Sequence, residues 1–522
     1  MIVLVDSGSL FGFANLHRHY LGCRKGKRNT YNALRFEARQ ELNLLELSEA
    51  LQNRSYRPSS SVCFVTQRPK MREIFAADFK DRIVHHVLVD ELERYWEPVF
   101  IHDSYACRRG KGIHHAVARL QQFIRQGSGN GQQRLWYLQL DIKNYFMSID
   151  KAVLFSLLKA HIDSVEVLWL TKLLVFHDCT QDYTYKGRPG LLQQLPPHKS
   201  LLQAGAAKGL PIGNLNSQFF ANVYLNALDQ FVKHTLKCRY YLRYCDDFVL
   251  LSQDPQQLSV WREQLGQFLA ERLQLELNNK REKLRPVSDG IDFLGYIVRR
   301  DYTLVRKRVV NNLRAKLRGF EAQLVRQRGS YRVYRYDVEV VDALAACLAS
   351  YLGHLSHADS FALRQRIWQE FSFLEQYFQV DALSQTVSRR RFDASGFHTV
   401  LGQYRCFQGC FAHDVMFYKV GRFIEFYGEA DQAIADLLGL QRLRANRRGA
   451  LWGFPVAFAR HYLRRLLKAG MPVVCIVETG QYLNRIQERR VFCRVVPGKN
   501  GIDLLPFMAL DTGMTASAEV SC

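Results

Sequence analysis

The chain has 522 residues, of which 48% are hydrophobic and 23% charged, so it is too long for one compact core and too apolar for a long disordered protein. Lys and Arg outnumber Asp and Glu by 72 − 49 = 23, and a surplus of that size favours a polyanionic partner, most commonly nucleic acid. No apolar stretch approaches the length of a membrane span, so a membrane partner is not expected.

The predicted elements change character along the chain. Residues 1–60 are predicted to be helical and basic, and strands alternate with helices from 61 to about 300. Residues 302–380 return to helical periodicity, basic at first and aromatic later. The segment 384–395 is predicted to be a linker, and a second strand-and-helix unit is predicted over 396–500. The start of the chain lacks the pattern of a secretory signal, so a cytoplasmic protein with reduced cysteines is expected.

Three aspartates occupy positions that favour chemistry. Asp141 ends a predicted strand that begins at Leu135. Asp246 and Asp247 lie between two apolar arms, a pattern typical of a hairpin whose tight turn presents both carboxylates. Aspartate also favours ordinary turns because its side chain bonds the local backbone, so the acidic pair alone leaves a purely structural turn open.

The clustering of these carboxylates predicts a metal site. Adjacent aspartates repel each other unless cations lie beside them. Mg²⁺ prefers carboxylate oxygens combined with substrate phosphates, and two such ions can bridge the attacking and leaving oxygens of an in-line displacement. The sequence therefore predicts two Mg²⁺ ions at this site, with Mn²⁺ as the alternative ion.

Six motifs in order resemble those of reverse transcriptases. They lie at residues 68–75, 104–112, 140–146, 209–218, 244–247 and 293–296. The resemblance covers about residues 30–380 and implies an α+β, right-hand polymerase fold with fingers, a palm built on an antiparallel sheet, and a helical thumb. It also implies RNA-directed DNA polymerase activity, with template RNA, cDNA, RNA–DNA hybrid and dNTPs as partners.

The same resemblance implies roles for single positions. It assigns catalysis and metal binding to Asp141, Asp246 and Asp247, with the Ile142 carbonyl as a further ligand. It assigns nucleotide binding to Arg72, Phe146, Ile212, Gly213 and Lys280. It assigns template and primer contact to Ser217, Gln218, Tyr244 and Gly295.

Three of these roles have a structural alternative. Phe146 either acts as a steric gate against a ribose 2′-hydroxyl or is a core aromatic. Arg72 either holds the incoming triphosphate, which suits its guanidinium fork, or is a surface arginine. Lys280 either protonates the leaving pyrophosphate or lies on a solvated basic face.

The motif around Ile212 and Gln218 resembles that of diversity-generating retroelements, whose enzymes copy a template RNA with errors concentrated at adenines, the process called mutagenic retrohoming. Many reverse transcriptases have Gln before Gly213 and Pro after Ser217 instead. An apolar Ile212 cannot form the hydrogen bond that Gln would, and fidelity that rests on small energy differences is easily eroded. Members of this type commonly work with a small basic accessory protein, and the fused C-terminal unit of this chain is a candidate substitute for it.

The C-terminal unit closely resembles the N-terminal mismatch-recognition domain of MutS proteins, and its Phe423-Ile424-Glu425 matches that family's Phe-x-Glu motif. Strand alternation predicts that Ile424 faces the core, while Phe423 and Glu425 share the other face. An exposed Phe can stack on an unpaired base and a Glu can bond its edge. The resemblance therefore implies binding to mismatched or distorted duplex. The alternative is an aromatic at the edge of the core with an incidental Glu.

The expected organisation is a bacterial, cytoplasmic, nucleic-acid-associated enzyme with a separate mixed α/β C-terminal domain. Two other functions stay open at this point: a reverse transcriptase of an anti-phage defence system, and a nucleic-acid-binding assembly protein that no longer catalyses. The predicted boundaries are 1–300 for fingers and palm, 301–383 for the thumb, 384–395 for the linker, 396–500 for the MutS-like domain and 501–522 for the tail.

Overall fold

A computed structural model describes the chain over residues 9–67, 70–381, 386–392, 396–444, 449–483 and 485–498. Arg68 and Pro69 of the first motif, five of the twelve residues of the predicted linker and the whole predicted tail lie outside the described residues. The chain divides into two compact units, Met1–Thr303 and Leu304–Cys522.

The first unit is built from ten α-helices and the strands of three small sheets, counted over its described residues. Its helices are α1 (Phe13–Arg24), α2 (Tyr31–Glu37), α3 (Gln40–Gln52), α4 (Phe79–Val99), α5 (Ile113–Gly127), α6 (Tyr145–Ser148), α7 (Lys151–Lys159), α8 (Val165–Phe176), α9 (Leu215–Gln230) and α10 (Pro255–Leu273). Its strands are β1 (Ser61–Thr66), β2 (Arg72–Ala76), β3 (Trp136–Asp141), β4 (Tyr183–Tyr185), β5 (Tyr240–Tyr244), β6 (Asp247–Ser252), β7 (Lys283–Pro286), β8 (Ile291–Phe293) and β9 (Tyr296–Val298), with β10 (Thr303–Val305) at the boundary of the two units.

The central sheet of this unit has the strand order β5-β6-β3-β7, and all three pairings are antiparallel. The four middle residues of β3 and of β6 are buried; those of β6 are all apolar, whereas those of β3 include Gln139. One large hydrophobic core joins these strands to α4, α9 and α10 through side chains such as Val87, Leu228 and Leu265. The antiparallel palm sheet predicted from the sequence is confirmed.

The second unit contains six further helices and nine further strands among its described residues. The helices are α11 (Lys307–Leu324), α12 (Val338–Leu355), α13 (Phe361–Glu370), α14 (Val400–Cys410), α15 (Gln432–Leu438) and α16 (Ala459–Lys468). The strands are β11 (Val325–Arg328), β12 (Tyr331–Arg335), β13 (Phe378–Val380), β14 (Val387–Arg389), β15 (Val415–Val420), β16 (Phe423–Phe426), β17 (Trp452–Pro455), β18 (Val473–Leu483) and β19 (Ile486–Pro497).

A seven-stranded sheet crosses the boundary that the sequence predicts between thumb and C-terminal domain. Its order is β11-β12-β19-β18-β15-β16-β17, so two strands come from the predicted thumb and five from the C-terminal unit. Strand β12 pairs with β19 over Tyr331↔Pro497 to Arg335↔Cys493. The thumb segment is therefore not purely helical. Within the predicted linker, β14 pairs with β13 instead of being irregular.

The expectation that no apolar stretch approaches the length of a membrane span was wrong for one described helix, because α12 is long and apolar enough by length and composition to cross a membrane. A core helix passes the same test, so a single helix of this kind is weak evidence for a span. Leu344 and Leu348 of α12 are buried in a hydrophobic cluster with Leu313 and Leu317 of α11.

Candidate active site

The three predicted carboxylates meet at one end of the central sheet. Asp141 is the last residue of β3 and lies directly opposite Asp247, the first residue of β6. Tyr244 pairs with the same Asp247 across β5 and β6, which leaves Cys245 and Asp246 as the two residues of the turn. The predicted hairpin and its meeting with the Asp141 strand are confirmed.

The turn holds its first residue in an unusual backbone conformation. Cys245 has a φ of +56°, in the left-handed region that residues other than glycine seldom adopt. Such a conformation costs on the order of 1–3 kcal/mol and persists only where the surroundings enforce it. The surroundings of this turn therefore have a role in fixing where Asp246 points.

Burial and mutual repulsion disfavour charge on Asp246 and Asp247. Burial raises the pKa of Asp246, and the neighbouring charge of Asp141 raises it further. Burial also raises the pKa of Asp247 to about 7, helped by Asp246 and Asp141, while the hydrogen bond from Gln139 opposes the shift. Cations placed among these side chains would favour the ionised forms, so the electrostatics suit a metal site.

Asp141 is held by two side chains from the segment before β7. The Asn278 Nδ2 donates to Asp141 Oδ2 at 2.9 Å, and the Asn278 backbone N–H donates to the Asp141 carbonyl at 2.8 Å. Arg281 Nη1 lies 3.2 Å from Oδ2 and 3.3 Å from Oδ1 of the same carboxylate. The bridge of Ile142 with Leu277 fixes the backbone beside them.

Gln139 supports the third carboxylate from the middle of β3. Its Nε2 donates to Asp247 Oδ1 at 3.1 Å and to the Asp292 carbonyl of β8 at 3.2 Å. Gln139 thus orients Asp247 and ties the acidic end of the sheet to the β8–β9 hairpin.

Two cations from the segment around β2 also face the carboxylates. The pKa of Lys70 is lowered by burial and by Arg281 and Arg72, while Asp141 and Asp246 act in the opposite direction. The charge of Arg72 in turn lowers the pKa of Asp246. Lys70 and Arg72 are both exposed and act on the acidic cluster through their charge, whereas Arg281 contacts Asp141 directly. Cations near these carboxylates suit the phosphates of a nucleotide.

Sequence reasoning chose Lys280 in the segment before β7, whereas the structure places its neighbour Arg281 on Asp141. Lys280 is exposed. Asn278, Gln139 and Lys70 were also missed as candidate residues. Lys70 lies within the first motif, and that was the one signal available for it.

Phe146, Ile212 and Gly213 lie on segments that border the acidic end of the sheet. Phe146 is half-buried on α6, and its carbonyl accepts the Leu210 N–H at 2.8 Å. The Ile212 carbonyl accepts the Phe75 N–H at 3.0 Å, which joins this segment to β2. Gly213 has a φ of +122°, and a Cβ there would lie 2.8 Å from Ile74 Cγ2, so the close approach requires glycine.

The four predicted template and primer residues have different environments. Ser217 is buried on α9, Gln218 is exposed on the same helix, and Tyr244 is half-buried beside the Cys245–Asp246 turn. Gly295 has a φ of +98° and follows Leu294, at +51°, in the two-residue turn between β8 and β9. Gly295 therefore has a conformational reason to be glycine that is independent of any nucleic-acid contact.

The donor set fits an open magnesium site better than a closed cage. Among the described residues, no three or more His, Cys, Asp or Glu side chains are grouped so that they could hold a metal ion on their own. Mg²⁺ usually takes one or two protein carboxylates and completes its octahedral shell with water and substrate phosphates. Asp141, Asp246 and Asp247 supply oxygen ligands of that type.

In the second unit, Phe423 and Glu425 of β16 differ in accessibility. Phe423 is 47% exposed, whereas Glu425 is buried and accepts a hydrogen bond from the Tyr427 hydroxyl. Ile424 packs in a hydrophobic cluster with Leu463 of α16, as the alternation predicted. Tyr427 packs in a separate cluster with Tyr404 of α14, so the opposite face is covered as well.

Two family models match the chain. Residues 65–298 match the reverse transcriptase (RNA-dependent DNA polymerase) model, a range that contains all three aspartates. Residues 398–501 match MutS domain I, a range that contains β16.

Curated relatives and solved structures were also found. Protein YkfC of Escherichia coli is 25% identical over 333 residues, covering 56% of this chain and 81% of the relative. The group II intron-encoded protein LtrA of Lactococcus lactis is 24% identical over 311 residues, covering 46% of this chain and only 48% of the relative. Telomerase from Candida albicans, solved with a telomeric RNA fragment, is 11% identical over 61% of this chain and 58% of that one; its TM-score of 0.34 is too low to bear on the fold.

The pairing of the two strands that carry Asp141 and Asp247 agrees with the family match over the same residues. Residues 65–298 therefore match an RNA-directed DNA polymerase domain of the reverse transcriptase type, and residues 398–501 match MutS domain I.

Proposed function

We propose that this protein copies a template RNA into cDNA by two-metal nucleotidyl transfer at Asp141, Asp246 and Asp247. The observation that carries the proposal is the meeting of these three carboxylates at one end of β3 and β6, where burial and repulsion raise the pKa of Asp246 and Asp247. A cluster of this kind is costly without cations, and the family match supplies the reaction class.

Two divalent ions, when bound, would supply activation of the primer 3′-hydroxyl and charge neutralisation at the leaving pyrophosphate. The protein's own residues orient the reacting groups. Asp141, Asp246 and Asp247 provide the ligand oxygens, and Asn278 and Gln139 hold two of these carboxylates in place. Lys280 is exposed and is not bonded to Asp141 among the described contacts, so we give it no part in positioning that carboxylate.

The cations Lys70, Arg72 and Arg281 bind the incoming dNTP through its triphosphate. Their charges already act on the acidic cluster, so a triphosphate beside the aspartates would lie within their reach. Arg281 would release Asp141 and move to the phosphates, because a guanidinium pairs with phosphate as readily as with carboxylate. Phe146, half-buried on the neighbouring α6, is proposed as the steric gate.

The test is Mg²⁺-dependent dNTP incorporation on an RNA template with a DNA primer. Asp246→Ala is expected to abolish incorporation while the protein stays folded and keeps its affinity for template–primer. Asp301→Ala is the matched control, because Asp301 is exposed and pairs only with its neighbour Arg300 among its described partners. Incorporation by Asp246→Ala at the wild-type rate would refute the proposal.

We further propose that copying is error-prone at template adenines, as in a diversity-generating retroelement of a bacterial cytoplasm. Ile212 supports this because its half-buried apolar side chain lies on the segment bonded to β2, next to the nucleotide-binding cations, and offers no hydrogen bond. Sequencing of the cDNA made from a defined RNA tests it. Errors spread evenly over the four template bases would instead favour a reverse transcriptase of another type, such as one in anti-phage defence.

For the C-terminal unit we propose binding to distorted or mismatched duplex, with Phe423 as the stacking residue. The exposed Phe423 lies opposite Pro455 of the neighbouring strand β17. Phe458, which is also exposed, follows Pro455 by three residues. Aromatic rings on an accessible edge can stack on unpaired bases. If Phe423→Ala leaves the affinities for mismatched and matched RNA–DNA hybrid unchanged, this part of the proposal fails.

A further inference from the structure

A fully buried arginine lies behind the catalytic turn. Arg243 is the fourth residue of β5, two positions before Cys245, and both it and Asp229 of α9 have no exposed side-chain surface. A charged pair taken entirely out of water is costly, and it persists only where good geometry satisfies every donor and acceptor. The hydrogen bonds of this pair therefore indicate its role.

Two of the three guanidinium nitrogens of Arg243 bond to the carboxylate of Asp229. Arg243 Nε donates to Asp229 Oδ1 at 2.8 Å, and Nη2 donates to Oδ2 at 2.6 Å, which makes a bidentate pair. The Tyr241 hydroxyl donates to Asp229 Oδ1 at 2.7 Å. These bonds fix the plane of the guanidinium from the side of α9.

The remaining nitrogen reaches the turn itself. Arg243 Nη1 donates to the Cys245 carbonyl at 3.1 Å and to Asn222 Oδ1 at 3.3 Å. The Cys245 carbonyl belongs to the peptide group that precedes Asp246, so holding this oxygen fixes the plane from which Asp246 extends. Cys245 has a φ of +56°, so an external contact of this kind explains how the turn is kept there.

The backbone of Arg243 is anchored as well. Its N–H donates to the Asp103 carbonyl at 2.9 Å, and its carbonyl accepts the Tyr105 N–H at 3.0 Å. Strand β5, which carries Arg243, is therefore fixed by the Asp103–Tyr105 segment on the edge opposite β6. The Arg243 side chain is restricted both at its backbone and at its guanidinium.

We propose that Arg243, with Asp229 as its partner, is a positioning residue that holds the Cys245 carbonyl and thereby keeps the Asp246 carboxylate beside Asp141. The inference rests on the proposed polymerase function but concerns a group that touches neither substrate nor metal. A purely structural pair would affect the folded fraction alone. A positioning pair affects ion binding and turnover in protein that is folded.

The variants separate these two roles. Arg243→Lys keeps a charge for Asp229 but lacks the fork that reaches the Cys245 carbonyl at the same time. Arg243→Met combined with Asp229→Leu removes the buried pair as a whole, a replacement that proteins often tolerate without loss of stability. Arg494→Met combined with Asp414→Leu is the matched control, because it removes another bidentate pair, with bonds of 2.5 and 2.7 Å, from the second unit.

The measurements are thermal unfolding, Mn²⁺ affinity by electron paramagnetic resonance without nucleotide, affinity for template–primer, and kcat and KM for dNTP. For both Arg243 variants we expect cooperative unfolding and unchanged template–primer affinity, with kcat lower by about 10- to 100-fold, as for small misplacements of reacting groups. Mn²⁺ affinity should fall by about tenfold, because one ligand is misplaced. The Arg494 control should match the wild type in all four.

The proposal is overturned if a folded Arg243 variant keeps kcat and Mn²⁺ affinity within about twofold of the wild type. If the double variant does not fold, Arg243→Lys decides the question alone. If the wild type binds Mn²⁺ and the folded variants do not, but no protein incorporates nucleotides, the polymerase proposal fails while the positioning role of Arg243 stands.

Discussion

Replacing Arg281 with Ala should change ion affinity and turnover in opposite directions. In the structure Arg281 Nη1 lies 3.2 Å from Asp141 Oδ2, so the guanidinium occupies the oxygen that a divalent ion would use. An ion must displace this contact before Asp141 can bind it. Arg281→Ala removes the competitor and should strengthen ion binding, while the loss of a triphosphate contact should slow the reaction.

The size of the effect on Mg²⁺ affinity follows from the solvent exposure of the Arg281 and Asp141 side chains. The Arg281 side chain is 52% exposed and that of Asp141 14%, so solvent screens the pair, and exposed pairs of this kind contribute about 0.2–1 kcal/mol. Released in full, that energy lowers the Mg²⁺ midpoint by roughly 1.4- to 5-fold. The second effect is larger, since removing one preorganised charge from a reaction that develops negative charge costs roughly 100-fold in kcat.

The assay is single-nucleotide incorporation over a Mg²⁺ titration, with the midpoint and the rate at saturation measured separately. Lys280→Ala is the control, because Lys280 adjoins Arg281 in sequence but is exposed and is not bonded to Asp141 among the described contacts. It should leave both quantities near the wild-type values. The reasoning is refuted if Arg281→Ala raises the Mg²⁺ midpoint, or if Lys280→Ala alone lowers the saturating rate.

Three further predictions follow from the same two units. Burial raises the pKa of Asp247 to about 7 from an ordinary 3.8, so keeping its charged form buried lowers stability by nothing below about pH 4 and by the full amount above about pH 7. The unfolding free energy of metal-free protein, measured by chemical denaturation, should therefore fall as the pH rises through this window. Asp247→Asn should remove this part of the fall. Ile212→Gln should lower misincorporation opposite template adenines relative to the other bases, as measured by cDNA sequencing; an unchanged error spectrum would exclude a role for this side chain. Phe423→Ala and Phe458→Ala should each weaken binding to mismatched hybrid by about 1–3 kcal/mol, as measured by fluorescence titration. Glu425→Ala should weaken it by less, because that carboxylate is buried. Equal losses of affinity for matched hybrid would contradict a preference for mismatches.

The three carboxylates of the candidate site could be located from the sequence because their pattern is local. Asp141 follows an apolar strand, and Asp246 and Asp247 sit between two apolar arms, so strand periodicity and turn preference place all three. Their contacts could not be found in this way. Asp229 lies 14 residues from Arg243 and on a helix, and no periodic pattern relates the two.

The contact of Arg281 with Asp141 shows a different limit of prediction from sequence. The segment between α10 and β7 has no apolar alternation, and nothing in its order indicates which of two neighbouring basic residues turns toward the sheet. The β11–β12 hairpin was missed because basic residues dominate it and helices flank it on both sides. Tyr331 and Val333, which alternate after Gly329, were the available signal for a strand.

The pairing of β12 with β19 makes the C-terminal region a poor candidate for simple truncation. A shortened chain that ended before β15 would keep β12 paired with β11 but would leave its other edge, which pairs with β19, open; an open strand edge is a template for self-association. Loss of activity in such a deletion would then reflect an aggregating polymerase and would say nothing about mismatch binding. Point substitutions on the exposed edge of the sheet, or a chimera that supplies a replacement for β19, are the perturbations that leave the polymerase soluble enough to be assayed.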